Sequence, residues 1–183
     1  MAIQILVPDV AAKIAAGEVI EHPASIVKEL VENSLDAGAS SIQVTIKNGG
    51  LSFIQVVDNG IGIPPDEVEL AFMRHATSKL RMIGDLEQVK TLGFRGEALP
   101  SIAAVARVNL LTRVASEEAG VLVEARKDGS FQKQYHAAPV GTAVAVQHLF
   151  ENVPVRRKFL KSTKAEAGRI HVLMSRLSLA SPE

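Results

Sequence analysis

The sequence predicts an α+β fold, a largely antiparallel mixed sheet with helices on one face. Three observations carry that expectation. Segments of 3.6-residue periodicity occur beside segments of strict apolar–polar alternation. The alternating segments come in neighbouring runs joined by short turns, which favours local hairpins over parallel crossovers. And 183 residues with 47% hydrophobic side chains suit one domain with a sizeable core. No repeat, low-complexity tract or Gly/Ser linker divides the chain.

Taken in order, Ile3 to Val7 is a short apolar arm, followed by helical periodicity from Asp9 to Ala16 that Gly17 is expected to break. A second helix runs from Pro23 to Ala37, with proline at its first position and Gly38 where a C-terminal cap favours glycine. Ile42 to Ile46 and Leu51 to Val57 alternate as strands, and Gly49-Gly50 reads as their hairpin turn. Pro64-Pro65-Asp66-Glu67 opens a third helix ending near Arg74. From His75 to Gly96 no clean period appears, and a loop of that length in a compact domain tends to be functional. A helix follows from Glu97 to Ala106; with Gly96 as its cap, Pro100 is the fourth helical residue and forfeits no ladder bond. Val108–Val114, Val121–Ala125 and Thr142–His148 read as strands, with an extra one at Phe131–His136. Val155–Lys161 and a helix from Thr163 to about Leu179 close the chain.

Composition excludes several functions. With no cysteine there is no disulfide framework, thiolate metal site or thiol nucleophile. Twenty basic against twenty acidic residues give a formal net charge of +0, hence no global attraction to nucleic acid or an anionic membrane. No apolar run approaches the ~20 residues of a membrane span, and the N-terminus lacks the basic start of a secretory signal. A soluble, intracellular domain is expected. The five histidines show no ligand spacing and read as structural or surface groups. P-loop, dinucleotide and nucleophile-elbow motifs are all missing.

Three local features suggest chemistry. On the second helix Glu29, Asn33 and Asp36 share one face, opposite Ile26, Val27, Leu30, Val31 and Leu35. Taken alone, the helix is more simply read as amphipathic with a solvated polar face, although asparagine is a poor helix-interior residue without a task. Asp58-Asn59-Gly60-Ile61-Gly62-Ile63 follows directly on a strand. A simple turn accounts for Asn59-Gly60 but not for the second glycine; a flat ligand against the backbone, with Asp58 accepting from an amine such as that of adenine, would account for both. Gly93-Phe94-Arg95-Gly96 precedes a helix N-terminus suited to an anion, with Thr77-Ser78-Lys79 upstream. The basic run Arg156-Arg157-Lys158, with Lys161, Lys164 and Arg169, reads either as a solvated helix face or as a nucleic-acid contact.

In this order, and with Gly141-Thr142 at a late strand, these features resemble the GHKL nucleotide-binding superfamily. The finer resemblance is to the MutL family of mismatch-repair proteins. It rests on Ile14-Ala15-Ala16-Gly17-Glu18-Val19, Leu30 to Gly38, Arg74-His75-Ala76-Thr77-Ser78-Lys79, Leu92 to Leu99 and Asn152 to Lys161, spread over nearly the whole chain. The resemblance implies a Bergerat-type fold, a two-layer α/β sandwich with ATP under a lid, over residues 1–183. It implies Glu29 as the general base for hydrolysis, Asn33 as the Mg²⁺ ligand, and Asp36 and Ala37 beside the nucleotide. Asp58 then reads adenine, with Gly62, Ile63 and Thr142 around the base. Thr77, Ser78 and Lys79 belong to the lid, and Gly93, Phe94, Arg95, Gly96, Glu97, Ala98 and Leu99 to the phosphate-facing loop and helix start.

ATP and Mg²⁺ are thus the expected cofactors. The resemblance further implies ATP-driven dimerisation, with itself or a related paralogue, through an N-terminal arm at residues 1–20. A MutS-type mismatch-recognition protein is the implied partner, with DNA contacted weakly and mainly through other parts. A second domain beyond these residues would supply a lysine toward the γ-phosphate, so hydrolysis by this chain alone is expected to be weak. The location would be cytoplasm or nucleoid in a bacterium, the nucleus in a eukaryote. The alternatives are a nucleotide-switch module of a type II topoisomerase or chaperone-like protein, a histidine-kinase-type domain, and a DNA-binding module using Arg156 to Arg169.

Overall fold

In the computed structural model, residues 4–76, 96–125 and 130–180 are described. Six strands, β1 (Ile42–Lys47), β2 (Phe53–Asp58), β3 (Arg107–Arg113), β4 (Gly120–Ala125), β5 (Phe131–His136) and β6 (Gly141–Gln147), form one sheet in the order β1-β2-β6-β3-β4-β5. Every neighbouring pair is antiparallel. Hairpin pairing accounts for β1–β2, β3–β4 and β4–β5, as expected. The last strand, β6, inserts between β2 and β3, and no local turn announces that.

Side-chain alternation places Ile54 and Val56 of β2, Val108 and Leu110 of β3, Val121 and Val123 of β4, and Val144 and Val146 of β6 on one face, all buried. Register lines them up in rows across the strands: Ile54–Val146–Val108, then Val56–Val144–Leu110–Val123. Helix α2 (Pro23–Asp36) packs across β2 and buries Ile26, Val27, Leu30 and Val31, the apolar stripe of its sequence. It begins where Nδ1 of His22 accepts the Ser25 N–H at 3.1 Å, and ends at Ala37 with Gly38 at φ +71°. Helices α3 (Ala98–Val105) and α5 (Thr163–Ala180) pack beside α2, and α1 (Pro8–Val19) lies on α3. A short helix, α4 (Pro154–Lys158), precedes α5.

Four local expectations need correction. Gly17 does not break α1, which continues to Val19. The missing side chain instead makes room for Arg156, whose guanidinium donates to Gly17 O at 2.8 Å and to Ile20 O at 3.5 Å. No α-helix spans Pro64 to Arg74; successive turns lead into a single 3₁₀ turn at Leu70–Phe72. That is enough to bury Val68 and Phe72, and Phe72 meets the Phe131 ring at 5.3 Å. The β1–β2 connection is a 3₁₀ turn at Asn48–Gly50 rather than a two-residue hairpin loop. Gly49 has φ +65° there, and a Cβ on it would stand 2.4 Å from Thr163 O at the start of α5. Finally, Glu97 and not Gly96 caps α3, so Pro100 is its third residue; the first ladder bond, Ser101 N–H to Glu97 O at 3.0 Å, begins just after it.

Candidate functional site

The third row of the sheet changes character. Continuing the inward positions by two residues brings Asp58 of β2, Thr142 of β6 and Thr112 of β3 side by side, Asp58 opposite Thr142 and Thr142 opposite Thr112. Three polar groups thus replace the apolar rows at one end of the core. A polar group in that position needs partners, and each has them.

Asp58 is held from three directions. Its Oδ1 accepts the N–H of Gly60 at 2.9 Å and the N–H of Thr142 at 3.2 Å. Its Oδ2 accepts the hydroxyl of Ser34 on α2 at 2.8 Å. A carboxylate offers about four acceptor positions. Among the described residues three are used, which leaves one on Oδ2. The loop after β2 is equally fixed. Ile61 N–H donates to Ala37 O at 3.1 Å, and Ile63 N–H donates to the Thr112 hydroxyl at 2.9 Å. Between them Gly62 adopts φ +75°, and a Cβ there would lie 2.2 Å from Arg113 O. Only glycine fits, because the loop presses against β3. The second glycine of the motif is therefore explained by close backbone approach.

On α2, Glu29, Asn33 and Asp36 are half-buried and follow one another along the helix. Ser34 lies five positions beyond Glu29, about 7.5 Å of helix axis. Glu29 lines a cleft of about 740 Å³ between α2 and α5, together with His22, Ser25, Lys28, Arg169 and Arg176. Asp58, Gly62, Ile63 and Thr142 do not line that cleft. The structure thus gathers Asp58, Gly62, Ile63 and Thr142 at the C-terminal end of α2 and sets Glu29 apart, toward the helix start.

Beside these, the chain leaves and re-enters the described structure at one place. Gly96 packs against Ala76, with its Cβ direction ending 2.4 Å from Ala76 O. Glu97, at the start of α3, lies 2.9 Å from His75 Nδ1 and 4.0 Å from Arg74 Nε. Arg74 also donates to Ala12 O of α1 at 3.3 Å. Ala98 and Leu99 form the half-buried first turn of α3. Thr77, Ser78, Lys79, Gly93, Phe94 and Arg95, with the loop expected to hold them, fall outside the described residues.

Comparison with known proteins bears on this arrangement. Residues 20–149 match the family described as histidine kinase-, DNA gyrase B- and HSP90-like ATPase. The chain belongs to this ATPase family. Its similarity extends to MutL mismatch-repair proteins: 51% identity to that of Desulforamulus reducens over 99% of this chain, and 53% to that of Actinobacillus succinogenes over 98%. The chain spans 28% of the length of each of those relatives. Among solved structures, the Aquifex aeolicus MutL ATPase domain complexed with ADP aligns with a TM-score of 0.70 and 38% identity, covering 90% of this chain and 57% of that one. The N-terminal domain of a DNA repair protein aligns with a TM-score of 0.75 and 34% identity, covering 90% and 47%. The six-stranded sheet with helices on one face is thus the sheet of a MutL-like ATPase domain.

Within this ATPase fold, two residues of the site escaped the sequence reading. Ser34 and Thr112 each hydrogen-bond a group already singled out, Asp58 and Thr142 respectively. A signal existed for Thr112. In Val108-Asn109-Leu110-Leu111-Thr112 the inward positions run Val, Leu, Thr, so a polar side chain sits where the pattern calls for an apolar one. The basic run is divided by the fold: Arg156 is spent on α1 and Arg169 on Glu166 at 3.1 Å, while Arg157, Lys158, Lys161 and Lys164 are exposed. Among the described residues no group of three or more His, Cys, Asp or Glu is placed to hold a metal, and no helix is long and apolar enough to cross a membrane.

Proposed function

We propose that the chain is the Mg²⁺-dependent, ATP-binding and ATP-hydrolysing unit of a MutL-type mismatch-repair protein. The observation that carries this is the single remaining acceptor on Asp58 Oδ2, fixed by Ser34, Gly60 and Thr142 beside a backbone-lined loop. A rigid carboxylate acceptor next to a hydroxyl suits the amine-bearing edge of adenine, which offers a donor beside a ring acceptor. Asp36, Ala37, Gly62 and Ile63 flank that end. The phosphates extend along α2 toward the start of α3, where Gly96, Glu97, Ala98 and Leu99 stand; the assignment of Thr77, Ser78, Lys79, Gly93, Phe94 and Arg95 to a lid and phosphate-facing loop rests on the family resemblance.

Glu29 acts as the general base, orienting and deprotonating the attacking water. Asn33, one helical turn on, is the protein ligand of Mg²⁺. This donor set fits, because Mg²⁺ is usually held by one or two protein oxygens plus phosphates and water rather than by a protein cage. When bound, the ion offsets phosphate charge beside the acidic face of α2.

In the larger protein, ATP binding would drive dimerisation through residues 1–20, with the same chain or a paralogue. The exposure of Ile5, Leu6, Val7, Val10 and Ile14 supports that, since such a row of apolar groups calls for a partner surface. Coupling to a MutS-type protein and location with the DNA in the cytoplasm or nucleus go with this reading. Contact with DNA through α4 is a second reading, favoured by Phe159, 81% exposed, beside Arg157 and Lys158. Steep salt dependence of DNA binding, removed by neutralising those two residues, would support it.

The deciding experiment is calorimetric titration with ATP, with and without Mg²⁺, of the wild type and of Asp58→Ala. Binding by the wild type, strengthened by Mg²⁺ and lost in the variant, is expected. No binding by the wild type, or equal binding by both, would overturn the proposal.

A further inference from the structure

We infer that Thr112 is a positioning residue for base recognition: its buried hydroxyl fixes the hydroxyl of Thr142 so that the site presents a hydrogen-bond donor beside the Asp58 acceptor. The inference rests on the proposed reading of Asp58 and Thr142 as the base-contacting pair.

Thr112 is 2% exposed and sits at the inward end of β3. Its Oγ1 has three neighbours. It accepts the Ile63 N–H at 2.9 Å, lies 3.1 Å from Gly141 O and lies 3.0 Å from Thr142 Oγ1. A hydroxyl has one proton and two acceptor positions. Ile63 occupies one acceptor position, so the one proton goes either to Gly141 O or to Thr142 Oγ1.

The two choices give Thr142 opposite characters. If Thr112 donates to Gly141, the Thr142 proton turns inward to Thr112, and Thr142 faces a ligand as an acceptor only. The site would then offer two acceptors side by side, which matches an edge with two donors, as in guanine. If Thr112 donates to Thr142, the Thr142 proton is released toward the ligand. The site then offers an acceptor on Asp58 and a donor on Thr142, matching the amine and ring N1 of adenine. A ligand acceptor facing Thr142 selects this second arrangement, at the cost of the Thr112 bond to Gly141.

Thr112 also ties three pieces of the pocket together: the 60–63 loop through Ile63, β6 through Gly141, and the reading hydroxyl itself. Without it, Thr142 loses the partner that holds its side chain, and a threonine so released turns to local backbone carbonyls. The contribution of N1 to binding should fall with it.

The test is a cycle of two changes, one in the protein and one in the ligand. Affinities of ADP, 1-deaza-ADP (ring N1 replaced by C–H) and 6-deamino-ADP are measured for the wild type, Thr112→Val and Thr112→Ser. In the wild type, loss of N1 should weaken binding roughly 3- to 10-fold, the worth of one hydrogen bond. In Thr112→Val that penalty should shrink to about twofold or less, while Thr112→Ser retains it. An N1 penalty unchanged in Thr112→Val, with ADP and 1-deaza-ADP weakened alike, would overturn the inference and leave Thr112 a merely structural residue. A 6-deamino-ADP as tight as ADP in the wild type would instead overturn the Asp58 reading. Should Thr112→Val not fold by circular dichroism, Thr112→Cys, whose thiol is a weak donor, carries the same comparison.

Discussion

The guanidinium of Arg156 occupies the space that a side chain at position 17 would need. A Cβ built on Gly17 would fall 1.4 Å from an Arg156 nitrogen, while that guanidinium donates to Gly17 O at 2.8 Å. One arginine of α4 thereby closes the carbonyl end of α1, 139 residues away in sequence. Helix C-terminal carbonyls otherwise lack partners, and a cation there is favoured by the helix dipole.

Gly17→Ala should therefore displace the Arg156 guanidinium, the far end of a flexible side chain, and cost at most the hydrogen bonds it gives up, about 1.5–3 kcal/mol, offset by about 1 kcal/mol of helix propensity. Arg156→Ala should cost about as much as lost hydrogen bonds to a charged group, about 1.5–3 kcal/mol. Together they should cost less than their sum, since the clash disappears with the arginine. Urea unfolding of the two single variants and the double variant checks this; strict additivity would refute the linkage.

Ser34→Ala removes the hydroxyl that fixes Asp58 Oδ2. The Ser34 proton faces two acceptors, Asp58 Oδ2 at 2.8 Å and Leu30 O at 3.1 Å, and the shorter contact to the carboxylate takes it. Nucleotide affinity should fall roughly 3- to 10-fold, with the unfolding midpoint little changed. Parallel calorimetry and thermal unfolding measure both.

In the full-length protein, Glu29→Ala should leave ADP affinity within about twofold of the wild type and lower hydrolysis roughly 10²- to 10⁴-fold, as expected of a general base. Phosphate release under saturating ATP and Mg²⁺ reads the rate. Equal loss of binding would move Glu29 from chemistry to nucleotide positioning.

Glu166 is fully buried, accepts the Lys161 N–H at 2.9 Å and meets Arg169 at 3.1 Å. Its truncation to alanine strands the amide and leaves the arginine without its counter-charge. A loss of about 1–3 kcal/mol is expected, mostly from the stranded amide, since Arg169 is 37% exposed and can hydrate, visible as a drop in thermal midpoint. Glu166→Gln should recover part of it by keeping an acceptor for Lys161.

Much of the architecture was legible because it is local. The stripe Ile26, Val27, Leu30, Val31 and the Pro23 and Gly38 boundaries placed α2, and alternation placed five strands and a sixth at Phe131–His136. Position 17 misled because a glycine in a helical run reports either a break or a visitor, and the visitor, Arg156, lies far along the chain. The stretch after Pro64 misled because Pro64-Pro65-Asp66-Glu67, read as a helix start, opens a series of turns instead, and these suffice to bury Val68 and Phe72. In the site, Asp58 stood out through its glycines. Ser34 and Thr112 did not, since each becomes polar machinery only when rows from different strands and α2 meet.

The insertion of β6 between β2 and β3 also dictates when the pocket can exist. Asp58 waits 84 residues for the Thr142 amide that completes its coordination, and Thr112 waits 30 for the Thr142 hydroxyl. Contacts of such separation carry a larger loop-closure cost than the hairpins on either side. Without the β6 seam the chain offers two half-sheets and no place where Asp58, Thr112 and Thr142 meet. A nucleotide that binds the finished pocket stabilises only the zipped sheet, so its binding would distinguish molecules that have completed their central seam from those that have not.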